Sequence, residues 1–173
     1  MGLLTPNELK DFQSLYSQQL QYLLSTENQI VKGLQSMIEH ASDAQLKQAF
    51  QSHLQETETH VERLKQLIPE VNEGEVDDKK DPIITALIGS GENIVKESDE
   101  GPVRDAGLIA TAQKIEHYEI ASYGSARDWA GLLGLSNHTQ LLQKTLDEEK
   151  HADHLLTTIA QRANVSAASA ASS

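Results

Sequence analysis

The chain has 173 residues, of which 38% are hydrophobic, and it contains no cysteine. This length and composition fit one domain with a single apolar core, and the lack of cysteine excludes disulfides, thiolate zinc sites and cysteine-ligated iron–sulfur clusters. The net charge of −12 argues against a nucleic acid partner, because phosphate binding requires a basic surface. No apolar run approaches the ~20 residues that cross a bilayer, and residues 1–6 lack the features of a signal peptide. We therefore expect a cytoplasmic protein without membrane contact.

Capping motifs and apolar stripes predict the first two long helices. Thr5-Pro6-Asn7-Glu8 is typical of a helix start with proline at the first helical position. Glu27 then occupies a position within an apolar seam of heptad-like spacing. A second capping motif, Ser42-Asp43-Ala44-Gln45, begins a helix that Pro69 is expected to end.

A crossover is predicted between the second and third long helices. Residues 69–82 are acidic and irregular, which favours a surface connection. A short apolar helix is expected next, interrupted at Gly89-Ser90-Gly91, and Gly101-Pro102 closes the segment. About thirty residues are enough to cross the length of a helical bundle, so the flanking long helices can run parallel.

Two more long helices complete the predicted fold. The third extends from about residue 102 to 133 and ends at Gly134, and the fourth begins near Ser136 or Asn137. The sequence therefore predicts an all-α protein, a four-helix bundle of the ferritin-like type with a long crossover containing a short extra helix. We expect the bundle to occupy residues 1–163 and an Ala/Ser-rich, flexible tail to occupy residues 164–173.

Carboxylates occupy the predicted inner faces of all four long helices. No lysine or arginine accompanies them there, and a buried charge costs several kcal/mol even after relaxation. Metal cations would offset this cost, and oxygen ligands with one or two imidazoles suit iron or manganese. Carboxylates from four helices, accompanied by histidine, are the ligand pattern of the ferritin-like di-iron carboxylate proteins. The predicted metal ligands are Glu27, His53, Glu56, Glu116, Glu119, Glu149 and Asp153.

The expected roles differ along this set, and several alternatives stay open. Terminal ligands are expected at Glu27 and Glu149, bridging ligands at Glu56 and Glu116, and completing or tuning groups at Glu119, His53 and Asp153. Glu119 could instead pair with Arg127 or lie at the rim. His53 is a ligand or a group that orients Glu56. His60 has a suitable spacing from Glu56 but could face solvent, and Tyr123 either packs in the core or forms a hydrogen bond near the metals.

Two segments of the later helices, Glu116-His117-Tyr118-Glu119 and Asp147-Glu148-Glu149-Lys150, are fairly specific motifs. Together with segments 46–50, 53–57, 61–64 and 104–106, they resemble the YciE/YciF family of bacterial ferritin-like proteins over about residues 5 to 162. The resemblance implies a ferritin-like bundle, usually dimeric, related in layout to rubrerythrin and found in stress-associated operons. Rubrerythrin also has a Glu-x-x-Glu pair on its third helix, whereas its Glu-x-x-His on the second helix becomes Glu56-x-x-Thr59 here.

The favoured function is binding of two Fe(II) ions and their oxidation by O₂ or peroxide, a ferroxidase- or peroxidase-like activity that protects the cell under stress. Manganese is the alternative metal. The expected partners are metal ions, small oxidants and a second copy of the chain in a homodimer. The alternative function is a non-catalytic, stress-induced structural or interaction bundle whose metal site is vestigial or purely structural.

Overall fold

The computed structural model describes residues 9–71 and 80–170, which form five α-helices and one short 3₁₀ turn. The helices are α1 (Phe12–His40), α2 (Ala44–Leu67), α3 (Pro82–Glu97), α4 (Pro102–Leu132) and α5 (Ser136–Ala170), and the 3₁₀ turn Ile68–Glu70 follows α2. The described residues include no strand. The predicted all-α bundle with a short helix in a long crossover is confirmed. None of the described helices combines the length and apolarity needed to cross a membrane.

The four long helices pack in a ring. α1 contacts α2 and α4, and α5 also contacts α2 and α4, so each long helix has two long neighbours. Short connections join α1 to α2 and α4 to α5, which makes each of these pairs an antiparallel hairpin. α3 packs against α1 and α4 and covers the side of the bundle where these two helices meet.

Helix boundaries follow local chemistry. The Asp11 carboxylate accepts a hydrogen bond from Ser14 N at 2.7 Å and caps α1, whereas the predicted motif at residues 5–8 lies outside the described residues. Asp43 caps α2 by accepting from Gln45 N and Leu46 N. Gly134, with a φ of 74°, supplies the left-handed residue that follows α4.

The fourth long helix extends further than the sequence predicts. α5 continues to Ala170, past residue 163, where the bundle was expected to end. Alanine has the highest helix propensity, so the Ala/Ser-rich composition supports helix even where it buries little. The side chains of residues 164–170 are mostly exposed, and residues 171–173 lie outside the described part of the chain.

Glycines in and opposite α3 allow close helix contact. α3 is continuous through Gly89-Ser90-Gly91, where the sequence predicts an interruption. A Cβ on Gly91 would lie 3.2 Å from Thr111 Cγ2, and one on Gly107 of α4 would lie 2.6 Å from Ile94 Cγ2. The missing side chains therefore let α3 seat tightly on α4.

The apolar core consists of two clusters. Ile30 on α1 and Ile115 on α4 belong to the first, whereas Leu24 and Tyr123, on the same two helices, belong to the second. Between these positions lie Glu27 and Glu119, along with other buried ionisable residues of α2, α4 and α5. A polar layer thus divides the core, and apolar side chains shield it on both sides.

Asp81 fastens the crossover to the bundle. Its side chain is 2% exposed; Oδ1 accepts from Ile83 N at 2.8 Å and caps α3, and Oδ2 accepts from Thr26 Oγ1 at 3.0 Å. The Tyr118 hydroxyl also donates to Oδ2. One carboxylate therefore links α1, α3 and α4.

Replacement of Asp81 tests this anchor. Asp81→Ala should lower the free energy of unfolding by about 3 kcal/mol, because it removes a helix cap and leaves two hydroxyls without their acceptor. Urea unfolding monitored by circular dichroism measures the change. Asp11→Ala, which removes a solvent-exposed cap, should cost clearly less. Equal losses in the two variants would show that Asp81 acts only as a cap.

Candidate metal centre

Six ionisable side chains form the polar layer, and each is 6% exposed or less. They are Glu27 of α1, His53 and His60 of α2, Glu116 and Glu119 of α4, and Glu149 of α5. The two histidines are two helical turns apart and the two α4 glutamates are one turn apart, so each pair projects from one helix face. The register of the apolar stripes thereby brings all six to the same level of the bundle.

One group within the layer contains His53, Glu116, Glu119 and Glu149. Each residue offers one ligand atom, and these atoms all lie within 4.8 Å of one another. His53 Nε2 is 3.2 Å from Glu116 Oε1 and 3.8 Å from Glu149 Oε2. Three carboxylates and an imidazole form a donor set suited to a hard or borderline divalent cation.

The second group contains Glu27, His60 and again Glu149, within the same 4.8 Å limit. His60 Nδ1 lies 3.4 Å from Glu27 Oε1 and 3.0 Å from Glu149 Oε1. Glu149 therefore directs one oxygen toward His60 and the other toward His53. A carboxylate placed in this way can contact two cations at once.

Many side-chain atoms of the polar layer have no hydrogen-bond partner. Nine buried side-chain atoms of these six residues have none, including both oxygens of Glu119 and of Glu149, and no other buried side-chain atom of the described residues is in this state. A buried polar group without a partner costs about 1–3 kcal/mol, and a bound cation would offset this cost at these nine atoms. Two divalent cations would balance the charge of the four carboxylates. The residues therefore fit a dinuclear metal centre.

Burial and mutual charge shift the protonation of the layer. Burial raises the pKa of Glu119 well above its usual range, and the negative charges of Glu149, Glu27 and Glu116 raise it further. Burial opposes the charged form of His60, but Glu149 and Glu27 outweigh it and raise its pKa to about 10. Burial likewise opposes charge on His53, and Glu116 is the main cause that raises its pKa well above its usual value. Protons thus partly offset the repulsion when no cation is present.

An ion pair at the outer side of the layer orients His60. His60 Nε2 lies 3.0 Å from Glu148 Oε2, and Arg63 donates to both oxygens of Glu148. If Glu148 accepts the proton of Nε2, the neutral ring presents the lone pair of Nδ1 to Glu27 and Glu149. This is the tautomer that binds a metal through Nδ1.

Tyr123 supports the opposite side of the second group. Its hydroxyl donates to Glu27 Oε1, and its ring packs edge-on against His60 with centroids 6.3 Å apart. Burial, followed by the negative charge of Glu27, raises the Tyr123 pKa well above its usual value, so the hydroxyl keeps its proton and remains a donor. Tyr123 thus forms a hydrogen bond at the polar layer, which is the second of the two alternatives that the sequence left open.

The structure brings together five of the seven predicted ligands: Glu27, His53, Glu116, Glu119 and Glu149. Glu56 lies outside both groups; its side chain is 41% exposed, and Oε2 is 3.6 Å from His53 Nδ1 on the outward side. Asp153 lies on the flank of α5, where it accepts from Gln113 Nε2 at 3.3 Å and is 3.5 Å from His117 Nε2. Glu56 is three residues after His53 and Asp153 is four after Glu149, so their spacing alone does not separate them from inner positions.

His60 is the one residue in these groups that the predicted ligand set omits. The sequence left open whether it faces solvent, whereas its side chain is fully buried. The signal was its seven-residue distance from His53, which places both rings on one face, together with the apolar Val61 and Leu64 that continue the buried side of α2. α2 thus contributes two imidazoles and no carboxylate to the two groups.

Comparison with known proteins identifies the family. A family model described as a domain of unknown function, DUF892, matches residues 11–169. Protein YciF of Escherichia coli K12 is 36% identical over 152 residues, which cover 88% of this chain and 92% of YciF. The chain belongs to the YciE/YciF (DUF892) family. The resemblance seen in the helix motifs is thereby confirmed.

Solved structures of YciE/YciF relatives have the same fold. The crystal structure of the E. coli stress protein YciF aligns with a TM-score of 0.85 at 35% identity, and covers 89% of this chain and 97% of that one. YcfI of Rhodopseudomonas palustris, for which a structural role has been suggested, aligns with a TM-score of 0.85 at 34% identity. That alignment covers 90% of this chain and 98% of YcfI.

The protonation of the layer gives a pH test for cation binding. Glu119, His53 and His60 hold protons in the fold at pH values where the unfolded chain has lost them, so metal-free protein should lose stability as pH rises. Cation binding requires the deprotonated ligands and strengthens over the same range. Between about pH 5.5 and pH 8, the melting temperatures of metal-loaded and metal-free protein should diverge by about 5 °C or more, as ~2 kcal/mol would produce.

Calorimetry of matched samples measures this difference, with elemental analysis to establish that the metal-free sample contains no iron or manganese. A gap in melting temperature that stays constant or narrows with rising pH would contradict cation binding by the layer.

Proposed function

We propose that this YciE/YciF-family protein binds two Fe(II) ions in its polar layer and promotes their oxidation by O₂ or peroxide in a stress response. Manganese is the second choice of metal. The observation that carries the proposal is the placement of the Glu149 carboxylate between two groups of unpaired ligand atoms. The proposal retains the expected cytoplasmic location, and it retains the homodimer that the family resemblance implies.

The distances favour a distribution of ligands that differs from the expected roles. One ion would be held by His53, Glu116, Glu119 and Glu149, and the other by Glu27, His60 and Glu149. Glu149 would then bridge the two ions instead of serving as a terminal ligand. Glu116 and Glu27 would each serve one ion, since each belongs to only one group.

Two bound ferrous ions would supply the two electrons that reduce one molecule of O₂ to peroxide or one molecule of peroxide to water. The protein's own groups control the surroundings of that reaction. Tyr123 keeps Glu27 oriented through its hydroxyl proton, and Glu148 keeps the Nε2 proton of His60 directed outward. The apolar clusters on both sides of the layer limit water, which strengthens the electrostatic interactions among the ligands.

The similarity to E. coli YciF, which is described as a stress protein, supports the stress part of the proposal. The two chains are 36% identical over most of both lengths and have the same fold, which supports a related cellular role.

A structural role is the second candidate. It is supported by the similarity to YcfI, for which such a role has been suggested, and by the absence of any carboxylate from α2 in the two ligand groups. In this alternative the cations only neutralise the buried carboxylates and hold the four helices together. Metal content would then be the same as in the catalytic proposal, but Fe(II) oxidation would not be accelerated.

Metal stoichiometry tests the assignment of ligands. Wild-type protein should bind about two ions per chain, as expected for a bundle of this type. Glu27→Gln should lower the content to about one ion, because Glu27 belongs to one group only, whereas Glu149→Gln should lower it below one. Elemental analysis after loading and gel filtration gives the values, and exposed Glu62→Gln is the matched control. Equal losses in Glu27→Gln and Glu149→Gln would contradict the bridging role of Glu149.

Oxidation kinetics separate the catalytic from the structural proposal. Fe(II) is added to metal-free protein under anaerobic conditions, oxidant follows, and near-ultraviolet absorbance reports Fe(III). The rate should exceed that of Fe(II) in buffer by about 100-fold or more, since oriented placement of reactants typically contributes at least this much. Tyr123→Phe should slow the reaction by misorienting Glu27, while Glu62→Gln should leave it unchanged. A wild-type rate equal to that in buffer, with two ions bound, would favour the structural role.

A further inference from the structure

A cavity of about 230 Å³ connects the protein surface to one end of the polar layer. It lies between α2 and α5, with apolar walls that include Phe50 and Ala152. His53 and Glu116 line its inner part, and the exposed residues Ser52 and His151 line its outer part. At about 30 Å³ for each molecule, the cavity has room for several waters, so a partly hydrated cation could pass through it.

Glu56 lies along this cavity next to His53. Its carboxylate is partly exposed and sits 3.6 Å from His53 Nδ1, whereas His53 Nε2 on the other side of the ring is 3.2 Å from Glu116 Oε1. Neither ring nitrogen has a hydrogen-bond partner, although the ring is buried. One imidazole therefore separates a carboxylate that solvent reaches from a carboxylate of the ligand layer.

Two other sides of the layer are covered. The outward nitrogen of His60 faces Glu148, and both oxygens of Glu148 are held by Arg63. On the α1–α4 side, α3 covers the bundle, and the space beside Ile88 and Glu116 there measures only about 10 Å³. A space of that size holds at most about one water. The cavity beside Glu56 is an open approach to the layer among the described residues.

We propose that this cavity is the route by which divalent cations reach the polar layer, and that Glu56 is the carboxylate that captures them at its outer part and passes them to His53. The inference rests on the proposed metal centre. Glu56 has no arginine partner among the described residues, in contrast to Glu148, and its ion-pair partner is His53 itself. A partly exposed carboxylate that lines a cleft raises the local concentration of cations and the rate at which they associate.

The kinetics of cation uptake test the capture role of Glu56. Metal-free protein is mixed with Co(II) in a stopped-flow instrument, and the visible absorbance of protein-bound Co(II) reports uptake without any turnover. Glu56→Gln should slow uptake about tenfold, in the range of electrostatic steering effects, while the final content equals that of wild type. Glu58→Gln removes the same charge from the exposed side of α2 and should remain close to wild type.

A second variant tests the route itself. Ser52→Phe places a large side chain at the exposed outer part of the cavity without altering any charge or ligand. A narrower route slows binding and release by the same factor, because it leaves the equilibrium affinity unchanged. Uptake of Co(II) and its release into EDTA should therefore both slow, by about the same factor.

Three results would overturn the inference. If Glu56→Gln took up Co(II) as fast as Glu58→Gln, Glu56 would not capture cations. If Ser52→Phe took up and released Co(II) at the wild-type rates, the cavity would not be the route. Loss of a bound ion in Glu56→Gln would make Glu56 a ligand of the centre, as its position in the sequence predicts. If wild-type protein itself bound no Co(II), Fe(II) or Mn(II), the proposed metal centre would fail, which is distinguishable from the other results.

Discussion

Repulsion among four buried carboxylates is the constraint on which the rest of this bundle depends. Glu27, Glu116, Glu119 and Glu149 are almost completely shielded from water, and the described residues place two imidazoles but no lysine or arginine among them. Like charges at such distances in apolar surroundings destabilise a fold strongly. The helices must therefore supply extensive packing on both sides of the layer, and the two apolar clusters do so. Bound cations would offset this repulsion, and the same carboxylates would then connect α1, α4 and α5 through the cations.

The two ends of the layer differ in how firmly they are held. Tyr123 fixes Glu27, and Glu148 with Arg63 fixes His60, so the second ligand group is enclosed. His53 has no comparable support, because its outward nitrogen faces only the partly exposed Glu56 beside an open cavity. This asymmetry suits a centre in which one end anchors the site and the other exchanges its ions with solvent. It also explains why a buried histidine keeps two unpaired nitrogens.

The sequence predicted the fold well because apolar periodicity and capping residues carry that information locally. It placed all four long helices, the extra helix in the crossover, and the carboxylates at one level. It could not distinguish inner from flanking positions, since Glu56 is one helical turn from both His53 and His60, and only the packing of the helices leaves Glu56 partly exposed while the two histidines are buried. The burial of His60 and the tight packing of α3 against α4 at Gly91 likewise depend on contacts between different helices.

Anomalous X-ray diffraction at the iron absorption edge, on crystals of protein loaded anaerobically with Fe(II), tests the central claim most directly. The account predicts two anomalous peaks inside the bundle about 3.5–4 Å apart, as in other dinuclear sites. One peak should lie beside His53 and the other beside His60, with the Glu149 carboxylate between them. A layer without anomalous signal, or a single peak that Glu149 does not contact, would contradict the dinuclear centre.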